Sequence, residues 1–280
     1  MVGTGKRRGD AWRSNLVVVD DEILTGGVAH AGAVVRRGGQ VLRPADRHTP
    51  AVHALLRHVR AAGFDGVPEP IGVDPDGRER LAFIDGDVPC PPFPEWSQTD
   101  RALGTTANLL RRFHEAATGF VNPFGTTWNT ELADPQSGPV ICHNDVCPEN
   151  VVYRSGVAVA LLDFDFAAPG RPVYDLTQLA KMCVPLDTPQ DAARQGRGAL
   201  DPFRRLRIVA DSYGLPPGRG SFVDVIGESL ATGGAFVERR VERGEAAFIE
   251  MWEAMGGRAR YERRQAWFER NRQRFVEALG

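Results

Sequence analysis

The sequence predicts an α+β chain in two parts, a strand-rich first third and a helix-rich remainder. Three observations predict it. Short apolar runs separated by Gly-Gly and Asp-Gly turns continue to about residue 84, the signature of hairpins. A stiff extended link, Pro89-Cys90-Pro91-Pro92-Phe93-Pro94, then interrupts the pattern. From residue 99 onward, apolar positions recur mainly at helical spacing. With 280 residues the chain can bury a large core and divide into two lobes.

In order, residues 1–14 are polar and Gly/Arg-rich and read as a loose tail. Strands are expected at 16–19, 23–24, 33–35 and 40–43, the last pair turned by Gly38-Gly39. The Gly-rich segment 26–32 reads either as an ordinary turn or as a cover for phosphates. A helix over 50–62 is marked by Thr49 as N-cap and Pro50 at its first position. Residues 72–76 and 79–84 form a second hairpin around Asp76-Gly77. A helix over 99–118 places Leu103, Ala107, Leu110, Phe113 and Ala117 toward the core, with His114 as a structural histidine. Residues 122–138 read as a loop anchored by Trp128. Further helices are expected over 175–184, 202–213, 222–239, 242–255 and 258–279.

Composition narrows the function classes. The 42% hydrophobic and 25% charged content is that of an ordinary globular protein. A formal net charge of −2 offers no basic footprint, which argues against a nucleic-acid partner. The last helix carries seven arginines, but Glu262, Glu269 and Glu277 are interleaved with them. It reads as a solvated mixed-charge face, with Phe268 and Phe275 turned to the core. The apolar run 16–19 is too short for a signal-peptide core or a membrane span, so no membrane partner is expected and the chain reads as cytoplasmic. Cys90, Cys142, Cys147 and Cys183 fit neither a zinc-ribbon nor a disulfide spacing.

The chemistry is concentrated in Ile141-Cys142-His143-Asn144-Asp145, followed by Asn150 and the apolar Val151-Val152-Tyr153. A second piece, Leu161-Leu162-Asp163-Phe164-Asp165-Phe166, is an apolar strand ending in carboxylates. A loop carboxylate, a nearby carboxamide and a strand-end carboxylate suit metal-assisted phosphoryl transfer. One Asp accepts the proton of the attacking hydroxyl, while Asn and the other Asp offer hard oxygen ligands to Mg²⁺.

His143-x-Asp145 with Asn150, then Leu162-Asp163-Phe164-Asp165, resembles the catalytic core of the aminoglycoside phosphotransferase family. That family is similar to choline kinases and, more distantly, to eukaryotic-type protein kinases. The resemblance continues through Pro169-Gly170 and Tyr174-Asp175-Leu176 and runs from about residue 20 to the end.

It implies a two-lobed protein-kinase-like fold, with a nucleotide-binding lobe over 1–88 and a catalytic and substrate-binding lobe over 89–280. It implies Mg²⁺-dependent transfer of the γ-phosphoryl group of ATP or GTP to a hydroxyl of a small molecule, an aminoglycoside-like antibiotic or another metabolite. Asp145 would be the base, Asn150 and Asp163 the metal ligands, and Asp165 a supporting or secondary metal group. Asp175 would tie down the loop backbone. Backbone groups of Phe83 and Ile84 would meet the nucleotide base.

Two departures stand out. Arg43 occupies the place of the family's phosphate-contacting lysine, and Val52-His53-Ala54 lacks the helix glutamate that pairs with it. A non-catalytic nucleotide-binding scaffold and a nucleotidyl transferase on the same fold therefore stay open. Asp187, Asp201, Glu242 and Glu245 read either as contacts for a cationic substrate or as surface acids.

Overall fold

The computed structural model describes residues 21–24, 33–125 and 127–280, so the expected strand at 16–19 and the Gly-rich segment 26–32 lie outside the described residues. The first lobe is built on five antiparallel strands: β1 (Glu22–Ile23), β2 (Val35–Arg37), β3 (Gln40–Pro44), β4 (Pro70–Val73) and β5 (Arg78–Ala82). Their order is β1-β2-β3-β5-β4, so β3 lies between β2 and the distant β5. Both predicted turns form, with Gly38-Gly39 joining β2 to β3 and Asp76-Gly77 joining β4 to β5. The β3–β5 register sets Arg43 directly opposite Glu79.

Helix α1 (Thr49–Ala61) packs on this lobe through Val52, Leu55, Leu56 and Val59, all buried. Each such aliphatic side chain contributes about 1.5–3 kcal/mol by leaving water. Its N-terminus differs from the expectation of a Thr49 cap. Thr49 is the first helical residue, and Asp46 Oδ1 accepts from the N–H groups of His48 (2.7 Å) and Thr49 (3.0 Å). An Asx turn starting three residues earlier therefore satisfies the orphan donors.

The chain enters the second lobe where Asp87 and Tyr153 exchange two backbone hydrogen bonds, each 2.8 Å. Gly86 beside them has φ 146°, and a Cβ there would lie 2.7 Å from the Tyr153 carbonyl oxygen. Only glycine permits so close an approach.

Helix α2 (Asp100–Ala117) is the spine of the second lobe. Leu103, Ala107, Leu110, Phe113 and Ala117 are all buried, as the periodicity predicts, and the Thr99 hydroxyl caps the helix by accepting from Ala102 N–H at 3.2 Å. Strand β6 (Val140–Cys142) pairs with β9 (Ala168–Gly170), and β7 (Val151–Arg154) pairs with β8 (Val157–Leu161). Helices α3 (Pro172–Cys183), α4 (Pro189–Arg194), α5 (Pro202–Tyr213), α6 (Ser221–Glu242), α7 (Ala246–Ala254) and α8 (Gly257–Leu279) complete the lobe.

Phe268 and Phe275 of α8 are fully buried and stack at 5.4 Å between centroids. Four residues apart on the same helix, Arg260 and Arg264 turn inward, which departs from the solvated face expected of this helix. Arg260 is buried against Asp187, and Arg264 binds the carbonyls of Leu186 and Lys181, each at 2.9 Å. Among the described residues, no helix is long and apolar enough to cross a membrane.

Candidate active site

The loop between β6 and β7 carries His143, Asp145 and Asn150, and its backbone is fixed from below by Asp175 of α3. Asp175, fully buried, accepts from His143 N–H (2.6 Å), Asn144 N–H (2.8 Å) and His114 Nε2 (2.9 Å). Burial disfavours its charge, yet His114 and these donors more than offset that and hold the carboxyl below its ordinary value. His114 Nδ1 meets the Tyr213 hydroxyl at 2.7 Å. Both ring nitrogens are thus committed, and the nearby His114–Cys142–Asp175 cluster reads as a structural brace rather than a metal centre.

His143 links the two motifs. Its Nε2 donates to the Leu162 carbonyl at 2.8 Å and its Nδ1 accepts from Asp145 N–H at 3.2 Å, the pattern of a neutral ring. Burial pushes its pKa down, which agrees with that tautomer. The ring packs on Phe164 at 4.5 Å between centroids, which ties the loop to the Asp163-Phe164-Asp165 segment. Asn144 at φ 63° and Asp163 at φ 61° are both left-handed, a strained backbone that clusters at functional sites.

Asn150 Nδ2 donates to the Asp145 carbonyl (2.9 Å) and to Asp145 Oδ2 (3.0 Å). Burial and then the Asp163 carboxylate raise the Asp145 pKa to about 7, against the pull of Lys181 and Asn150. The arrangement leaves one oriented carboxylate able to exchange a proton near neutral pH, the range in which general-base work is efficient.

Above the loop sits a rebuilt clamp. Arg43 on β3 donates through Nη1 to Asp163 Oδ1 (2.9 Å), through Nη2 to Asp165 Oδ1 (2.5 Å) and through Nε to Glu79. Burial opposes its charge, but Asp163, Asp165 and Glu79 overcome that and keep it protonated. Glu79 Oε2 in turn pairs with His53 Nε2 at 2.8 Å. The acid that sequence reasoning found missing from α1 is therefore supplied from β5, and His53 stands in the helix position where the acid was expected. Glu79 was detectable in principle. It shares a strand face with Leu81, which packs on the core, so period-two alternation points it inward.

These residues line one end of a cavity of about 580 Å³ that reaches from Arg43 past Asp145 into the helical lobe. Asp145, Asn150, Asp163, Asp165 and Arg43 meet there. Phe83 and Ile84 do not line it. The Phe83 N–H donates to the Gly39 carbonyl at 2.9 Å and its ring stacks under Arg36 at 3.8 Å, while among the described residues the Phe83 carbonyl and both backbone groups of Ile84 carry no backbone bond. The four acids weighed as contacts for a cation are also placed. Asp187 pairs with Arg260, Glu245 with Arg240, Asp201 caps α5, and Glu242 is exposed at the end of α6.

The donor set fits a hard divalent cation. Asn150 spends its Nδ2 on Asp145, and among the described residues no hydrogen bond uses its Oδ1. Arg43 occupies only Oδ1 of Asp163, and burial together with Asp165 raises the Asp163 pKa despite that arginine. Carboxylate and carboxamide oxygens around uncompensated negative charge match what Mg²⁺ takes from a protein.

Comparison with known proteins converges on this stretch. A family model described as the phosphotransferase enzyme family matches residues 126–209. The trifolitoxin immunity protein of Rhizobium leguminosarum bv. trifolii is 37% identical over 215 residues, which span 74% of this chain and 79% of that protein. Among solved structures, a choline/ethanolamine kinase family protein from Mesorhizobium loti superposes with a TM-score of 0.59 at 18% identity, covering 93% of this chain and 92% of the other. The GDP complex of aminoglycoside 2′-phosphotransferase-IIIa superposes with a TM-score of 0.57 at 12% identity, over 90% and 94% of the two chains. These likenesses show the two-lobed protein-kinase-like fold.

Proposed function

The chain belongs to the phosphotransferase enzyme family and is of kinase type, and on that premise we propose that it moves the γ-phosphoryl group of ATP or GTP to a hydroxyl of a small molecule. The observation that carries the reading is the convergence of Asp145, Asn150, Asp163 and Arg43 on one end of a single cavity. Asp145 orients the acceptor hydroxyl and takes its proton as the oxygen bonds to the γ-phosphorus. The bond from that phosphorus to the β–γ bridging oxygen breaks, and the nucleoside diphosphate leaves with the bridging oxygen. Asn150 and Asp163 are the residues to hold Mg²⁺, which when bound neutralises charge on the phosphate oxygens. Arg43 contacts phosphates, and the free Phe83 carbonyl and Ile84 N–H receive the base.

The name of the curated relative, an immunity protein, supports a protective role in which phosphorylation disarms a toxic compound. The test is incubation with γ-labelled ATP or GTP, Mg²⁺ and a panel of hydroxylated antibiotics and metabolites, with products read by mass spectrometry. One added phosphoryl group, lost in Asp145→Asn, is the expected result. A nucleotidyl adduct would assign nucleotidyl transfer instead. Absence of Mg²⁺–nucleotide binding would assign a scaffold, the reading that Arg43 lying across Asp163 and Asp165 favours.

A further inference from the structure

Beyond Asp145 the cavity changes character. Its walls there are apolar: Leu230 and Phe236 from α6, Phe248 and Met251 from α7, and Tyr261 from α8. Set into them are two cations, Lys181 of α3 and Arg264 of α8, with no carboxylate within ion-pair distance among the described residues. Lys181 Nζ meets only the Ser229 carbonyl, at 3.3 Å, and Arg264 meets only the carbonyls of Leu186 and Lys181. One helical turn before Lys181, Gln178 also lines the cavity; it is 3% exposed and its Nε2 has no hydrogen-bond partner. A buried donor without a partner is costly, so a ligand acceptor atom would relieve it.

Among the carboxylates that line the same cavity, Asp145 accepts from Asn150, and Glu149, whose Oε2 has no hydrogen-bond partner, is pushed by burial toward its neutral form. Asp163 and Asp165 face Arg43, and Asp187 faces Arg260. Gly233 of α6 leaves the Lys181 ammonium open: a Cβ there would sit 3.0 Å from Nζ. Burial and then Arg264 bring the Lys181 pKa down to about 7, and Lys181 lies near enough to Asp145 for each charge to favour the other, so an acidic ligand would draw Lys181 to its charged form. The cationic subsite is therefore adjacent to the reacting hydroxyl.

We infer that the acceptor is a largely apolar hydroxyl compound with an acidic group close to the reacting hydroxyl, received by Lys181, Arg264 and Gln178, and that it is not a polycation. The inference rests on the phosphotransferase reading of the site and narrows it. An aminoglycoside would bring ammonium groups against Lys181 and Arg264, neither in an ion pair among the described residues, and strip its hydration against apolar walls, both unfavourable. A carboxylate supplies the missing counter-charge and the acceptor for Gln178, while an alkyl or aryl body covers the walls.

Calorimetric titration of the full chain without nucleotide tests this, using 3-hydroxydecanoate, its methyl ester and kanamycin. The acid is expected to bind in the millimolar range or tighter, the ester at least about tenfold more weakly, and kanamycin not at all. Lys181→Gln removes the charge, and Gly233→Asp places an internal carboxylate beside the ammonium. Each is expected to bring the acid's affinity down to that of the ester. If Lys181→Gln does not fold, Gly233→Asp alone decides. Kanamycin binding as tightly as the acid, failure of the acid to bind, or an acid-to-ester ratio unchanged in the variants would overturn the inference. A loss of turnover in Lys181→Gln with that ratio intact would place Lys181 on the transferred phosphate and also overturn it. Binding of Mg²⁺–ATP is titrated separately, so failure of the phosphotransferase reading shows as a lost nucleotide isotherm, independent of the acid.

Discussion

At one end of the cavity, Arg43 gathers Asp163, Asp165 and Glu79 around a single guanidinium. At the other end, Lys181 and Arg264 stand among apolar side chains and, among the described residues, hydrogen-bond only to backbone carbonyls. The first end holds more negative charge than its arginine cancels and so suits an incoming cation. At the second end, among the described residues, no carboxylate lies within ion-pair distance of Lys181 or Arg264, which suits an incoming acid. Asp145 feels both ends, the Asp163 carboxylate raising its pKa and Lys181 lowering it. The contrast teaches that each end of the cavity is left incomplete in the sense its reactant completes.

The sharpest way to break the comparison is to remove the group that feels both ends. Asp145→Asn keeps the hydrogen bond to Asn150 but cannot take a proton. Transfer is expected to fall about 100- to 10,000-fold, read as initial rates of product formation, with nucleotide affinity little changed. Asp175→Ala attacks the floor beneath both ends. It strips two loop N–H groups and His114 of their buried acceptor. The expected cost is about 3–5 kcal/mol of stability by urea unfolding, because three buried donors lose their acceptor at about 1–3 kcal/mol each before the site relaxes.

Glu79→Gln sharpens the cation end. Without that carboxylate's charge, Arg43 is held more firmly on Asp163 and Asp165, where it competes with a metal ion. Mg²⁺–nucleotide affinity is expected to fall about tenfold by calorimetry.

A pH test addresses the frame around the cavity. Burial pushes Asp134 upward, but Arg171 and backbone N–H groups more than offset it and hold it below its ordinary value of 3.8. A depressed folded pKa contributes stability that is present above the unfolded value and lost as pH falls through the folded one. Asp134→Asn is therefore expected to flatten the acid limb of the stability–pH profile below about pH 4 and leave its slope near neutrality unchanged. The exposed Arg111–Glu115 pair lies outside both ends, and Arg111→Ala is expected to change stability by less than about 0.5 kcal/mol.

The catalytic loop was legible in the sequence because its parts are close together. His143, Asp145 and Asn150 fall within eight residues between two apolar runs, and their partner segment at Asp163 follows the next hairpin. The α2 core positions were legible for the same reason, since one periodicity fixes which face is buried. The clamp was not. Glu79 reaches Arg43 from 36 residues away, across a strand order that places β5 beside β3 ahead of β4. Register between non-sequential strands is a tertiary property, and the search for an acid stayed on α1, where the structure has His53. Helix α3 starts at Pro172, ahead of the expected 175, because proline favours the first turn of a helix. Arg260 and Arg264 were hidden in an arginine-rich run whose average is solvated, and only the packing of α8 turns those two inward.

On the proposed function, the cation end of the cavity binds a metal–nucleotide complex even though arginine stands in the lysine position. Calorimetric titration of wild type and Asp163→Asn with ATP and with GTP, each with and without Mg²⁺, tests it most directly. Wild type is expected to bind at least one nucleotide in a Mg²⁺-dependent manner, with the Mg²⁺ dependence lost in Asp163→Asn. Nucleotide binding that ignores both Mg²⁺ and Asp163, or no binding at all, would contradict it.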